Sequence, residues 1–228
     1  IIDCLAITNE PISWGRLIIE RSSVDFNFSG EEQAESSKIL GSDLWSTPFE
    51  IETHDLRELK TFSVDNEGSK DFDDALNWEP TDTGKTVRVF ITDVASFIAY
   101  QSQLFLGASD RISSLYTLKK VFPMFPAELS EGQFSLKQSE DRAVLTFEFE
   151  VNDSNEVVDS KIYRSVIQVD KNCTYSEIDE EIGNGDAFWS GLSQFCTDQA
   201  KLRKENGALE LDRYDVKLDI SDVDNISI

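Results

Sequence analysis

The chain has 228 residues, 39% of them hydrophobic, with 15 Phe and 4 Trp, enough to build a substantial core as one large domain or two small ones. Its net charge of −23, from 44 acidic and 21 basic side chains, counts against gripping a phosphate backbone unaided; it suits a basic partner, bound cations or a high-salt setting. No apolar run nears 18 residues and no basic-then-apolar leader is visible, so neither a membrane span nor a secretory signal is expected. Cys4, Cys173 and Cys196 lack a pairing motif, which points to a reducing, intracellular compartment and away from structural zinc or a disulfide scaffold.

Residues 1–60 are the least patterned. Trp14–Ile19 and Val24–Phe28 read as strands, and the stretch from Ser29 to Ser46 reads as a short helix or flexible connector rather than core. His54 is the sole histidine; with no nucleophile near it, it is expected to be a surface or packing residue.

Phe62–Asp65 reads as the edge of a strand, and Asn66, Gly68 and Ser69 as a turn. Ala75–Glu79 and Thr86–Thr92 are expected to pair as a hairpin about a turn spanning Pro80–Lys85. Asp93, at its end, is read either as a further carboxylate for the aspartate cluster or as a cap. Ser102–Ser114 has a helical period with Ser102 as N-cap. The two prolines of Val121–Pro126 exclude regular helix and central strand. Ala143–Val151 and Val157–Val169 form a second predicted hairpin. Thr174 with Glu177 is a capping box, and Phe188 to Gly207 is a longer amphipathic helix whose Lys201, Arg203 and Lys204 are the strongest local basic group. The tail from Leu209 to Ile228 shows two short alternating segments. Strands with interleaved helices give an α+β expectation.

Four aspartates, Asp65, Asp71, Asp73 and Asp74, fall within ten residues. Carboxylates so close repel one another and need solvent, basic groups or a cation. Magnesium suits the set, since it takes oxygen ligands and leaves positions for water or phosphate. Calcium is the rival, although an EF-hand counted from Asp65 places Leu76 where a Glu is required. A solvated acidic turn and edge-strand protection are the plainer readings. Tyr116 is read either as a core or rim aromatic or as a residue that stacks on a base.

Together these landmarks resemble the RNB catalytic domain of the ribonuclease II family, which includes ribonuclease R and exosome-associated nucleases. The family signature, Thr-Ile-Asp, five residues, then Asp-x-Asp-Asp-Ala, is similar to Ser63-Val64-Asp65 followed by Asp71-Phe72-Asp73-Asp74-Ala75. Ile91–Phe97, Tyr116, Pro123–Pro126, Leu129–Ser130, Phe134–Leu136 (with Phe134 where Cys is usual), Arg203 and Gly207–Leu209 continue the pattern. The resemblance implies an α+β fold with a mixed or antiparallel sheet and helices, residues 55–228 being the N-terminal part of an incomplete RNB domain and residues 1–54 an N-terminal segment or linker to which no fold is assigned. It also implies a hydrolytic 3′-to-5′ exoribonuclease that releases nucleoside 5′-monophosphates from single-stranded RNA. Two Mg²⁺, with Mn²⁺ a possible substitute, would be held by Asp65, Asp71 and Asp74, with Asp73 as ligand or orienter of water. Tyr116 would clamp the terminal base and Arg203 would contact RNA. The implied partners are single-stranded RNA, the remainder of the RNB domain, OB-type RNA-binding domains and a protein assembly, in the cytoplasm, a mitochondrion or a plastid. An inactive RNB-derived scaffold is the alternative.

Overall fold

The computed structural model describes residues 25–42, 52–116 and 121–211. The strand expected at Trp14–Ile19 and the tail segments after residue 211 lie outside them. In chain order the elements are α1 (Gly30–Leu40), β1 (Thr53–Asp55), β2 (Phe62–Asp65), β3 (Asp74–Thr81), β4 (Gly84–Thr92), a 3₁₀ turn (Val94–Ser96), α2 (Gln103–Arg111), β5 (Leu115–Tyr116), β6 (Val121–Phe122), a π-helical turn (Leu129–Gln133), β7 (Asp141–Asn152), β8 (Val157–Gln168), β9 (Lys171–Thr174), α3 (Tyr175–Gly183) and α4 (Ala187–Glu205). They fall into two compact units. The smaller comprises Ile1–Lys38, Ala99–Ala127 and Leu211–Ile228; the larger comprises Ile39–Ile98 and Glu128–Glu210.

The larger unit is a seven-stranded mixed sheet of order β1-β8-β7-β4-β3-β2-β9, in agreement with the α+β expectation. Both predicted hairpins form. The first is tighter than expected, β3 and β4 being joined through Asp82 and Thr83 alone. Gly84 (φ +145°) is required there, because a Cβ would lie 2.0 Å from the Val151 carbonyl oxygen. The β7–β8 turn is held by Asn152, whose side-chain oxygen accepts from Ser154 N (2.9 Å) and Glu156 N (3.0 Å). The outer pairs, β1–β8 and β2–β9, are parallel.

Alternation along β3 gives the sheet two different faces. Leu76 and Trp78 point toward α4, whose Phe188 and Trp189 rings meet Phe62 at 5.3 and 5.1 Å. Gly191 lets the helix approach, since a Cβ there would lie 2.8 Å from the Trp78 ring. Asp186 caps α4 by accepting from Trp189 N (3.0 Å), and the capping box of Thr174 and Glu177 opens α3 as expected. On the opposite face Ala75, Phe90, Leu136, Val144, Ile167 and Val169 form the core, with Leu56, Leu59 and Phe72 packed on it. Phe90 is fully buried, a contribution of about 1.5–3 kcal/mol.

In the smaller unit the order around α1 and α2 differs from the sequence expectation in two ways. Residues 25–29 are irregular: the alternating Phe26 and Phe28 are used separately, Phe26 against Phe122 (5.9 Å) and Phe28 beneath the Arg111 guanidinium (4.5 Å). And α1, expected to lie outside the core, buries Glu32 and Ser36, Glu32 being paired with the buried Arg111. Gly107 makes room for that pair; a Cβ would sit 2.1 Å from the Glu32 carboxylate. Ser102 caps α2, as predicted, by accepting from Phe105 N (3.2 Å), and Glu35 accepts from Gln103 N and Leu104 N. Among the described residues no helix is long and apolar enough to cross a membrane.

Directly after α2, Ile112 adopts φ 67°, ψ −43°, and Ser113 N donates to the Arg111 carbonyl at 2.8 Å. This is a γ-turn of the strained, positive-φ kind, centred on a β-branched residue that is 80% exposed. Little packing opposes relief of the strain. Ile112→Gly should therefore stabilise the protein by about 1 kcal/mol, read as a higher urea midpoint; an unchanged or lower midpoint would show that the turn stores no strain.

Candidate metal centre

Asp65 is the last residue of β2, opposite Thr174 of β9, and Asp74 is the first of β3, opposite Ile91. Asp71 and Asp73 lie in the loop between. That loop turns at Asn66–Ser69, where Ser69 N donates to Asn66 O (3.2 Å) and Gly68 takes φ +83° at the third turn position, which favours glycine. Phe72 packs on the core, so Asp71 and Asp73, one residue to either side, are held at its margin rather than within it.

The loop is supported from a distant segment. Phe72 N donates to the Ser135 hydroxyl (3.0 Å), which donates to Lys70 O (2.7 Å), and Leu136 N donates to Phe72 O (2.8 Å). Thr92 N reaches Asp73 O (3.2 Å), and the Thr92 hydroxyl donates to Phe134 O (2.7 Å). Arg142, itself buried, fixes this segment by donating to Ser135 O (2.7 Å) and Gly132 O (3.1 Å). Asn172 of β9 ties Ser63 Oγ and Leu136 O together (both 2.9 Å). Ser135, Arg142 and Asn172 were not legible as parts of the site; the only signal was the Phe134–Leu136 pattern, which carries no hint of what its hydroxyl holds.

The four carboxylates form one electrostatic group. Burial, then repulsion from Asp71, Asp74 and Asp65, pushes the Asp73 carboxyl above the ordinary carboxylate range. Asp65 is raised by burial first, against a lowering hydrogen bond with Ser63, and then by Asp74 and Asp71. Among the described residues Asp65, Asp73 and Asp74 form no ion pair. Lys70 instead meets Glu131 (3.8 Å). Among the same residues no three His, Cys, Asp or Glu side chains stand close enough to enclose an ion; mutual repulsion opposes closer approach while their charge is not offset. The donor set, four carboxylates of which Asp65 and Asp74 sit at the ends of β2 and β3, is of the oxygen-ligand kind that suits a hard divalent cation.

Other predicted residues are placed as follows. Asp93 is buried, caps the 3₁₀ turn through Ser96 N (3.2 Å) and pairs with Arg164 Nε (3.0 Å), which selects the cap reading. His54 packs edge-on against Tyr163 (4.7 Å), as expected. Tyr116 is 63% exposed on β5 of the smaller unit, and Arg203 is exposed in the last turn of α4; neither belongs to the aspartate loop. Tyr175, 57% exposed, directly follows the β9 residue opposite Asp65 and was not singled out from sequence.

Two outcomes test this geometry. Ser135→Ala leaves the part-buried Phe72 N–H without its partner and should cost about 1 kcal/mol in denaturant unfolding; no loss would dismiss the hydroxyl as a support. Because the folded protein holds the Asp73 proton more tightly than the unfolded chain, stability should fall as pH rises from the ordinary carboxylate range through the raised folded value. In metal-free buffer at neutral pH, Asp73→Asn should therefore raise Tm, and an unchanged Tm would rule out the repulsion.

An RNB domain model matches residues 53–228. Ribonuclease R 2 of Lactococcus lactis is 29% identical over 203 residues, covering 82% of this chain and 30% of that protein. The fold is similar to Mycoplasma genitalium RNase R in complex with ribose methylated single-stranded RNA (TM-score 0.82, 22% identity, 96% of this chain and 36% of that one). It is also similar to yeast Ssd1, a pseudonuclease (TM-score 0.57, 15% identity, 75% of this chain and 24% of that one). The chain thus spans about a third or less of the length of these relatives. The sequence match over residues 53–228, with the mixed sheet and the spaced aspartates, shows that the chain belongs to the RNB-domain family of ribonuclease II and ribonuclease R.

Proposed function

We propose that residues 55–228 are the N-terminal part of the catalytic domain of a Mg²⁺-dependent, hydrolytic 3′-to-5′ exoribonuclease that releases nucleoside 5′-monophosphates from single-stranded RNA inside the cell, in the cytoplasm or an organelle. The observation that carries this reading is the aspartate loop: four spaced carboxylates at one sheet end, with Asp65 and Asp73 held above the ordinary carboxylate range by burial and by their neighbours. Two Mg²⁺ bound there, or Mn²⁺ in their place, would orient a water and stabilise the attacking and leaving oxygens of a phosphodiester. Asp65 and Asp74, at strand ends, and Asp71 from the loop would supply the ligand oxygens. Asp73, raised by burial and by its neighbours, is the ligand or water-orienting group. Tyr116 presents an exposed ring for stacking on the 3′-terminal base, and Arg203 an exposed guanidinium for a phosphate. The remainder of the RNB domain and OB-type modules would complete the grip on RNA, which a chain of net charge −23 needs.

The likeness to a pseudonuclease raises a second reading, an inactive RNB-derived scaffold in an RNA-processing assembly. The retained aspartates favour the enzyme. Mononucleotide release from end-labelled single-stranded RNA upon adding Mg²⁺, and its loss with chelator, separates the two; no release by the protein joined to its full RNB domain would favour the scaffold. In that assay Asp73→Asn should reduce hydrolysis by at least about 10²-fold while gel-shift affinity for RNA stays near wild type. Tyr116→Ala should change the length of the end product, and an unchanged product ladder would remove the clamp.

A further inference from the structure

Ser63 stands two residues before Asp65 on β2 and, at 1% exposure, is shut off from water. Alternate residues of a strand share a face, so the Ser63 hydroxyl and the Asp65 carboxylate are neighbours, and the two are hydrogen-bonded. An ionised carboxylate only accepts, so the hydroxyl donates its single hydrogen to Asp65. That leaves the Ser63 oxygen as an acceptor, and Asn172 Nδ2 fills it from β9 at 2.9 Å. Asn172 is the direct register partner of Ser63 in the parallel β2–β9 pair, which sets the two side chains next to each other.

The amide of Asn172 is satisfied in one sense only. Its Oδ1 accepts from Gln138 N at 2.8 Å, and its Nδ2 donates to Leu136 O (2.9 Å) as well as to Ser63. Turning the amide over would set its NH₂ against the Gln138 N–H and its oxygen against the Leu136 carbonyl, so that donor meets donor and acceptor meets acceptor. Locked in this sense, Asn172 always presents a donor to Ser63, and the Ser63 hydrogen is directed to Asp65. A backbone N–H of the segment that also seats Phe72 through Leu136 N thus sets the direction of the whole series, from Gln138 through Asn172 and Ser63 to the carboxylate.

We infer that Asn172 is a positioning residue for the Asp65 carboxylate: acting through Ser63, it fixes the direction of the hydroxyl that holds Asp65 in place to receive a divalent cation. The inference rests on the metal reading given above, in which Asp65 supplies a ligand oxygen. A carboxylate already hydrogen-bonded has less freedom to lose on taking up an ion, and outer partners of ligating side chains change metal affinity by about 10–100-fold. Asn172 has no ligand role of its own, since both its donors and its acceptor are used within the protein.

Binding of Mn²⁺ alone to the protein joined to its full RNB domain, followed by the EPR signal of the free ion, tests this. The sites that count are those lost in Asp65→Asn. Ser63→Ala and Asn172→Leu should each weaken them about 10-fold. The double variant should weaken them no further, because the two side chains act in series. Ser63→Thr, which keeps the hydroxyl, should bind as wild type does. Affinity unchanged in Ser63→Ala or in Asn172→Leu, a loss in Ser63→Thr equal to that in Ser63→Ala, or losses that multiply in the double variant would overturn the assignment; multiplying losses belong to two side chains that support the fold independently. A wild type with no Mn²⁺ site sensitive to Asp65→Asn would remove the metal reading itself and this inference with it, so the two failures are told apart. If far-UV CD shows Asn172→Leu unfolded, the comparison of Ser63→Ala with Ser63→Thr decides.

Discussion

The site depends on the seating of Phe72. One aromatic ring packed on the core, with aspartates on both sides of it, converts a run of repelling carboxylates into a loop of defined path. Left to electrostatics alone, Asp65, Asp71, Asp73 and Asp74 would separate into solvent. They stay together because Phe72 is anchored by burial and its backbone is bonded at both ends, its N–H to Ser135 and its carbonyl to Leu136. A hydrogen bond to an amide partly shielded from water is modest when made and costs more when lost, so the Ser135 hydroxyl acts mainly by denying the loop alternatives.

That anchoring creates a local conflict between charge and packing. The core face of the sheet supplies the stabilisation, and the aspartate end draws on it by holding carboxyls above their ordinary pKa. Strained or destabilised groups persist where the surrounding structure over-determines them. Here the surrounding structure is strand ends on both sides and the segment fixed by Arg142 beneath. The buried Glu32–Arg111 pair of the smaller unit follows the opposite logic: its charges are matched, and Gly107 has given up a side chain to let them meet.

Much of the larger unit was legible because its signals are local. The alternation of β3, β4, β7 and β8, the turns between them, the capping box at Thr174 and the Ser102 cap all lie within a few residues of what they control. Where reading failed, the deciding partner was remote or shared. Phe26 and Phe28 alternate like a strand but answer to Phe122 and Arg111. Residues 29–46 looked too polar for core because the partner that makes Glu32 buriable lies on α2. Asp93 was equally suited to capping and to the cluster until the placement of Arg164 on β8 decided for the cap.

By itself, then, the sequence determined the spacing of the four aspartates, the hairpins that bring Asp65 and Asp74 to one end of the sheet, and the family to which that spacing belongs, since each is a property of neighbours along the chain. The tertiary structure alone decided what holds them: Ser135 lies 63 residues from Phe72, and Asn172 lies 109 from Ser63. Which hydroxyl or amide fills such a role depends on the packing of β7 and β9 around the loop, and no local pattern records it.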